Sequence, residues 1–226
     1  MTDLFVYTPP NEPLQILYSD KDIVLVNKPS GLLSVPGKDA DKKDSMLTRL
    51  QEKYPLVYAV HRLDMDTSGI MVFALRRKAE RNLKLQFQRR EVHKEYRAVV
   101  QGFLSTKEDL IDAPLGLDPV RKLRHCIRED GRSAQTHYRV LSEGLDCSLL
   151  QLKPITGRSH QLRVHLNSIG HPILGDRFYA PEEIQSRSPR LLLHAQELCF
   201  SHPYSKEKMR HSIDANFRKE SRFFPQ

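Results

Sequence analysis

The sequence predicts an α+β fold with a mixed, largely antiparallel central sheet and flanking helices. Three observations carry that expectation. Short runs rich in β-branched and aromatic residues, such as Ile23-Val24-Leu25-Val26 and Ile70-Met71-Val72-Phe73, recur along the chain and suit strands. Helical spacing of apolar residues is confined to stretches near 45–54, 77–90 and 160–169. Strands and helices do not alternate as they would in a parallel βαβ protein. At 226 residues the chain can bury a sizeable core as one large domain or two small lobes. We expect one domain over 1–226, with the Pro-rich residues 1–13 as a surface arm.

Taken in order, 16–18 and 23–27 read as a strand pair across the turn Ser19-Asp20-Lys21-Asp22. Lys28-Pro29-Ser30-Gly31 ends the second strand, since proline cannot donate into a ladder. Met46, Leu47 and Leu50 lie at helical spacing between Ser45 and Tyr54, after a charged loop at 37–44. Arg77 to Arg90 carries one apolar stripe, Ala79, Leu83 and Phe87, on a strongly basic helix. A strand at 92–100 stops at Gly102, and 114–133 reads as a mobile basic excursion. Strands resume at 134–140 and 147–152. A helix from about His160 to Ile169 places Leu162, Leu166 and Ile169 on its apolar face and His160, Arg163 and Asn167 on the other, with Gly170 and Pro172 as stop signals. A further strand region begins at Leu191, and the tail after Asp214 is basic.

Lys plus Arg number 36 against 28 Asp plus Glu, a net charge of +8, which favours a polyanionic partner, nucleic acid or an anionic membrane surface. The three cysteines, Cys126, Cys147 and Cys199, show no Cys-x-x-Cys spacing and argue for a reducing compartment without a disulfide framework or structural zinc. The N-terminus lacks the pattern of a signal peptide, and no apolar run approaches the length of a membrane span. The expectation is a cytoplasmic protein. No Gly-rich phosphate loop and no Gly-x-Ser-x-Gly elbow is present, so nucleotide hydrolysis and serine hydrolysis have no support. His160 and His165 are five residues apart, about 140° around a helix, which is poor spacing for a shared metal. His165 reads as a packing residue.

The stretch with chemical character is His61-Arg62-Leu63-Asp64-Met65-Asp66-Thr67-Ser68-Gly69, a polar loop between two strand-like segments. Asp64 and Asp66 point the same way if the segment is extended, and both could equally cap local backbone groups. Asp66-Thr67-Ser68-Gly69 is similar to the Asp-Thr-Gly signature of aspartic proteases, but a serine intervenes and no second copy supplies the facing carboxylate. A carboxylate, a tyrosine and arginines on separate elements of a basic protein fit covalent carboxylate catalysis on a nucleic acid, and fit a plain RNA-binding surface as well.

His61-Arg62-Leu63-Asp64 with Thr67-Ser68-Gly69 resembles the central motif of the RluA-type pseudouridine synthases. Asn27-Lys28-Pro29-Ser30-Gly31, Lys94-Glu95-Tyr96-Arg97, Gly157 to His165 and Gly170 to Asp176 resemble four further blocks in the family's order, spanning about 15–204. The resemblance implies the pseudouridine synthase fold, with a catalytic cleft across the sheet, and isomerisation of uridine to pseudouridine in RNA without cofactor or metal. The resemblance is strongest to dual-specificity members, whose substrates are 23S rRNA and the anticodon stem-loop of certain tRNAs. From the short N-terminus we expect no S4-type module of the kind some relatives carry.

By the same resemblance Asp64 is the catalytic carboxylate, attacking the sugar, opening a glycal route or attacking the base. Arg163 pairs with it and favours its charged form. Tyr96 stacks on the base, and proton relay is the weaker role for a phenol with a pKa near 10. Because the uridine must leave its stack, Arg62 is the candidate to fill the vacated space. Lys28, Lys94, Arg158 and His160 are expected along the RNA path, while Asp66 receives no role. The expected partner is RNA, with no membrane and no protein partner, and the chain is expected to be a monomer. Two other classes remain open: a non-catalytic RNA chaperone or ribosome-assembly factor on the same fold, and a nuclease.

Overall fold

The computed structural model describes residues 6–121 and 123–217. The described residues form two compact units, one from 6–92 with 199–211, the other from 93–198 with 212–217. The first opens with β1 (Gln15–Ser19), β2 (Ile23–Lys28), α1 (Met46–Gln51), β3 (Tyr58–Ala59), β4 (Ser68–Ala74) and α2 (Arg77–Gln88). β2 lies between β1 and β4, β3 adds to β4, and all three pairings are antiparallel. Every residue of β4 is buried, which explains why it reads as a continuous apolar run and not as an alternating one. Ser45 caps α1 through a reciprocal box with Thr48, so the helix starts where sequence places it but ends three residues sooner. On α2 the buried positions are Ala79, Leu83 and Gln86. Gln86 replaces Phe87 in the expected stripe because its amide exchanges two hydrogen bonds with the Ser201 backbone, at 2.8 and 2.9 Å.

The second unit contains β5 (His93–Gln101), β6 (Glu108–Asp112), β7 (Leu115–Leu117), β8 (His125–Ile127), β9 (Gln135–Glu143), β10 (Cys147–Pro154), α3 (Gln161–Ser168) and α4 (Glu182–Gln185). Its strands run β5-β10-β9-β6, each pair antiparallel. The core beneath them includes Val99, Leu150, Leu152, Leu166, Ile173 and Leu192. The chain crosses back into the first unit along β11 (Leu193–Ser201) and returns along β12 (Lys208–Ser212), which pairs with β11. No helix of the described residues is long and apolar enough to cross a membrane.

Two expectations need correction. The excursion at 114–133 contains a small antiparallel hairpin, β7–β8, closed by reciprocal backbone bonds between Leu115 and Arg132 at 2.9 and 2.8 Å. Charge hid these strands, because a two-stranded ribbon needs no buried face of its own. The arm at 1–13 is pinned at buried Tyr7, whose hydroxyl donates to Asp44 O and accepts from Leu33 N, both at 3.0 Å. The basic end of the tail, from 218 onward, lies outside the described residues.

Gly175 sets the turn that aims Asp176. Its φ is +75° and an added Cβ would lie 2.0 Å from Arg190 O. Gly175→Ala is therefore expected to lower the unfolding free energy by about 3 kcal/mol, from left-handed strain and overpacking together. Chemical denaturation checks this, and an unchanged midpoint would contradict it.

Candidate active site

In the first unit the Asp64 loop is held from behind. Residues Leu63 to Asp66 turn four successive carbonyls toward protein donors. Leu63 O accepts from Ser34 Oγ (2.7 Å), Asp64 O from Thr67 N (3.1 Å), and Asp66 O from Ser30 Oγ (2.6 Å). Met65 O accepts both Gly31 N (2.9 Å) and Lys28 Nζ (2.8 Å). Ser34 Oγ also accepts Leu63 N at 3.1 Å. The Lys28-Pro29-Ser30-Gly31 turn thus serves as a clamp on the loop. Asp64 and Asp66 are half-buried, and Arg62 is exposed.

Lys28 is the centre of this clamp. It is fully buried, and its ammonium donates to Pro29 O, Leu32 O and Met65 O at 2.7–2.8 Å. This corrects its expected place on the RNA path, since all three protons are taken by carbonyls inside the protein. Burial pushes its pKa down to about 7, while Asp66 and Asp64 favour the charged form. His61 is also structural: its Nε2 accepts Val72 N at 3.1 Å, and its ring stacks on Phe87 at 4.6 Å. Phe87 therefore leaves the core stripe of α2 to hold the start of the motif.

In the second unit Tyr96 stands on β5 opposite Leu152, half-buried against the core. Arg163 is 2% exposed, on a helix whose first six residues are all buried, so α3 has no solvent face at this position. Its Nε and Nη2 bind the two oxygens of Asp176 at 2.8 and 2.6 Å. Asp176 Oδ1 also accepts the backbone N–H groups of Phe178 and Tyr179. Both rings then pack against the guanidinium, with centroids 5.0 and 5.2 Å away. The forked pair uses one edge of the guanidinium and fixes its plane.

The Tyr179 hydroxyl extends this hub. It lies 2.7 Å from His160 Nδ1 and accepts His125 N at 3.0 Å, which ties β8 to the start of α3. Arg124 reinforces the tie through Phe178 O and the Phe178 ring. His160 itself is left-handed at φ 57° and half-buried. Arg158 is half-buried and donates Nε to Ser133 O (3.1 Å), and Lys94 lies 3.4 Å from Thr156 O. Gln161, its amide fully engaged by Thr156, Arg158, Gln135 and Thr136, shapes the turn before α3. His165 is fully buried between Thr136 Oγ1 and Ala113 O, the packing role read from sequence, and burial lowers its pKa.

The Lys28 clamp, Asp176, Tyr179 and Gln161 are the parts that sequence reasoning missed. Asp176 was visible as the end of a family block, but nothing in its local pattern named Arg163 as its partner. Asp20, Asp22 and His202 bring ligand-type atoms within 4.8 Å of one another in the first unit. Hydrogen bonds already occupy Asp20 and His202, whereas Asp22 Oδ2 is buried without one among the described residues. His202 Nδ1 accepts Tyr204 N and Ser205 N, so Nε2 carries the proton it gives to Asp20. That tautomer has no nitrogen lone pair left for a cation.

Residues 22–168 match the RNA pseudouridylate synthase family, and the chain belongs to it. Its class is therefore that of an RNA pseudouridine synthase, an isomerase acting on uridine, and not of an RNA chaperone. Among similar proteins, the "Dual-specificity RNA pseudouridine synthase RluA" of Escherichia coli K12 is 53% identical over 214 residues, covering 93% of this chain and 98% of that protein. The protein of the same name from Vibrio parahaemolyticus is 52% identical over 206 residues, covering 88% and 82%. The solved structure of human RNA pseudouridylate synthase domain containing 1 superposes with a TM-score of 0.79 at 30% identity, covering 93% of this chain and 87% of that one. Human RNA pseudouridylate synthase domain containing 4 gives 0.72 at 27% identity, with 91% and 93% covered. The expected fold class stands.

Two outcomes follow from this geometry. Free lysine titrates at 10.5, so between about pH 7 and 10.5 the unfolded chain keeps a proton that folded Lys28 has released, and stability rises with pH across that window. The stability of the wild type minus that of Lys28→Met should rise there by up to about 1.4 kcal/mol per pH unit. A flat difference in denaturation experiments would mean that Lys28 stays charged in the fold. Asp176→Asn leaves Arg163 buried without its countercharge and should cost about 3–5 kcal/mol of stability in the same assay. A loss under about 1 kcal/mol would show the bridge to be dispensable.

Proposed function

We propose that this enzyme uses Asp64 as its catalytic carboxylate and has dual specificity, converting uridines in both 23S rRNA and the anticodon stem-loop of certain tRNAs. The observation that carries the Asp64 assignment is the clamp. Every carbonyl from Leu63 to Asp66 is tied to the protein, so the loop backbone cannot follow a moving substrate and the carboxylate is presented from a fixed frame. The pairing of a preset carboxylate with a base that must be flipped out of its stack divides the labour. The RNA rearranges, and the protein does not.

The remaining roles rest on the sequence blocks these residues occupy. Tyr96 stacks on the uracil, and Arg163 is the guanidinium of the site, its plane fixed by Asp176. Arg62, exposed beside Asp64, fills the space left by the flipped nucleotide. Lys94, Arg158 and His160 contact the RNA backbone, while Lys28 acts only through the loop. Dual specificity is supported by the name shared by the bacterial relatives at 52–53% identity. With RNA as its substrate, the enzyme works in the cytoplasm as a monomer.

Release of tritium from carbon 5 of uridine-labelled RNA measures the reaction. The wild type should release it from both rRNA and tRNA, and Asp64→Asn should lower the rate by more than about 10³-fold with RNA binding kept. Comparable activity in that variant would remove Asp64 from its role. Release from one RNA class alone would remove the dual specificity.

A further inference from the structure

The exposed face of α2 takes no part in the site described above, yet it is the densest run of positive charge in the first unit. Of the sixteen residues 76–91, seven are Lys or Arg and two are acids, and all seven cations are exposed. Arg77, Arg81 and Lys84 recur at i, i+4 and i+7, opposite the buried Ala79, Leu83 and Gln86, and make a stripe about 10 Å long. Glu80 bridges Arg77 at 3.1 Å and Lys84 at 2.7 Å, and so cancels only part of this charge. Among the described residues no acid lies within bridging distance of Lys78, Arg81 or Arg90.

Two placements cost the helix stability. Arg76, Arg77 and Lys78 occupy its first positions, where the macrodipole disfavours cations, and Arg76 gives no side-chain cap. At the other end Arg90 closes the helix in the left-handed conformation, φ 60°, with Glu91 N bonded to Gln86 O at 2.9 Å. Glycine is the residue that this closing position favours. A helix chosen for stability alone would carry neither arrangement. Both are explained if the charge is there to meet a polyanion.

We propose that the exposed face of α2 binds the sugar-phosphate backbone of the RNA substrate outside the loop that holds the target uridine. The contact is one of charge without base readout, so it adds affinity for a large folded RNA and is indifferent to its sequence. That indifference suits an enzyme proposed to act on two RNAs as different in size as 23S rRNA and tRNA. The inference rests on the RNA reading given above.

The test compares a full-length tRNA transcript with its excised anticodon stem-loop. The variant carries Lys78→Ala, Arg81→Ala and Arg90→Gly. None of the three leaves a carboxylate without its partner, and each favours the local backbone, so the melting temperature should hold or rise. Filter binding should show affinity for the full transcript about tenfold weaker at low salt, with the slope of log affinity against log salt reduced by about 2. Binding of the excised stem-loop should not change. Unaltered binding of the full transcript would overturn the proposal, and so would equal losses on both RNAs, which would assign α2 to the target loop. Because binding is read without turnover, a failure of tritium release would count against the proposed function and leave this result separate.

Discussion

A lysine ammonium sealed under a loop is the constraint on which the first unit turns. Lys28 has no water to solvate it, so it must take carbonyls, and the three it takes belong to its own turn and to Met65. Three acceptors are satisfied by the charged form, which has three N–H bonds, and not by the neutral amine. Below about pH 7, where Lys28 keeps its charge, the loop therefore cannot move away without stranding a buried charge. Asp64 and Asp66, on either side of Met65, lie in the field of that charge, and the loop and the lysine hold each other in place.

The second unit solves a similar problem with a guanidinium. Arg163 is buried on a helix that has no exposed side at its first six residues. Asp176 offsets the burial with a forked bridge, and Phe178 and Tyr179 close over the guanidinium with aromatic faces. Tyr179 then passes the order outward to His160 and to the backbone of β8. The β7–β8 hairpin, basic and short, is thus anchored at the hub that orients Arg163, and the structure links a surface element to a buried guanidinium.

The positive charge of the chain is divided by this logic into two kinds. Lys28 and Arg163 are interior cations whose partners are fixed by the fold, and neither meets solvent. The cations of α2 are exterior, weakly neutralised, and set where they do little for the helix. A net charge of +8 alone cannot tell these apart, although only the second kind is available to a phosphate backbone.

Local pattern was enough to find β2, β4 and α2, because their burial follows from runs and spacings within a few residues. It was also enough to find the ordered blocks that hold Asp64, Tyr96 and Arg163. It did not find β6, whose Glu-Asp-Leu-Ile-Asp becomes a strand by pairing with β9 at an edge, nor the small β7–β8 ribbon. Lys28 was misplaced on the surface for a related reason. A lysine is exposed by default, and what buries this one is a carbonyl 37 residues away. The sequence by itself determined the ordered blocks of the family and where strands of high apolar content run. Tertiary structure alone decided which charges are interior, since the cost of burying a charge is met by partners that only folding brings within hydrogen-bonding distance.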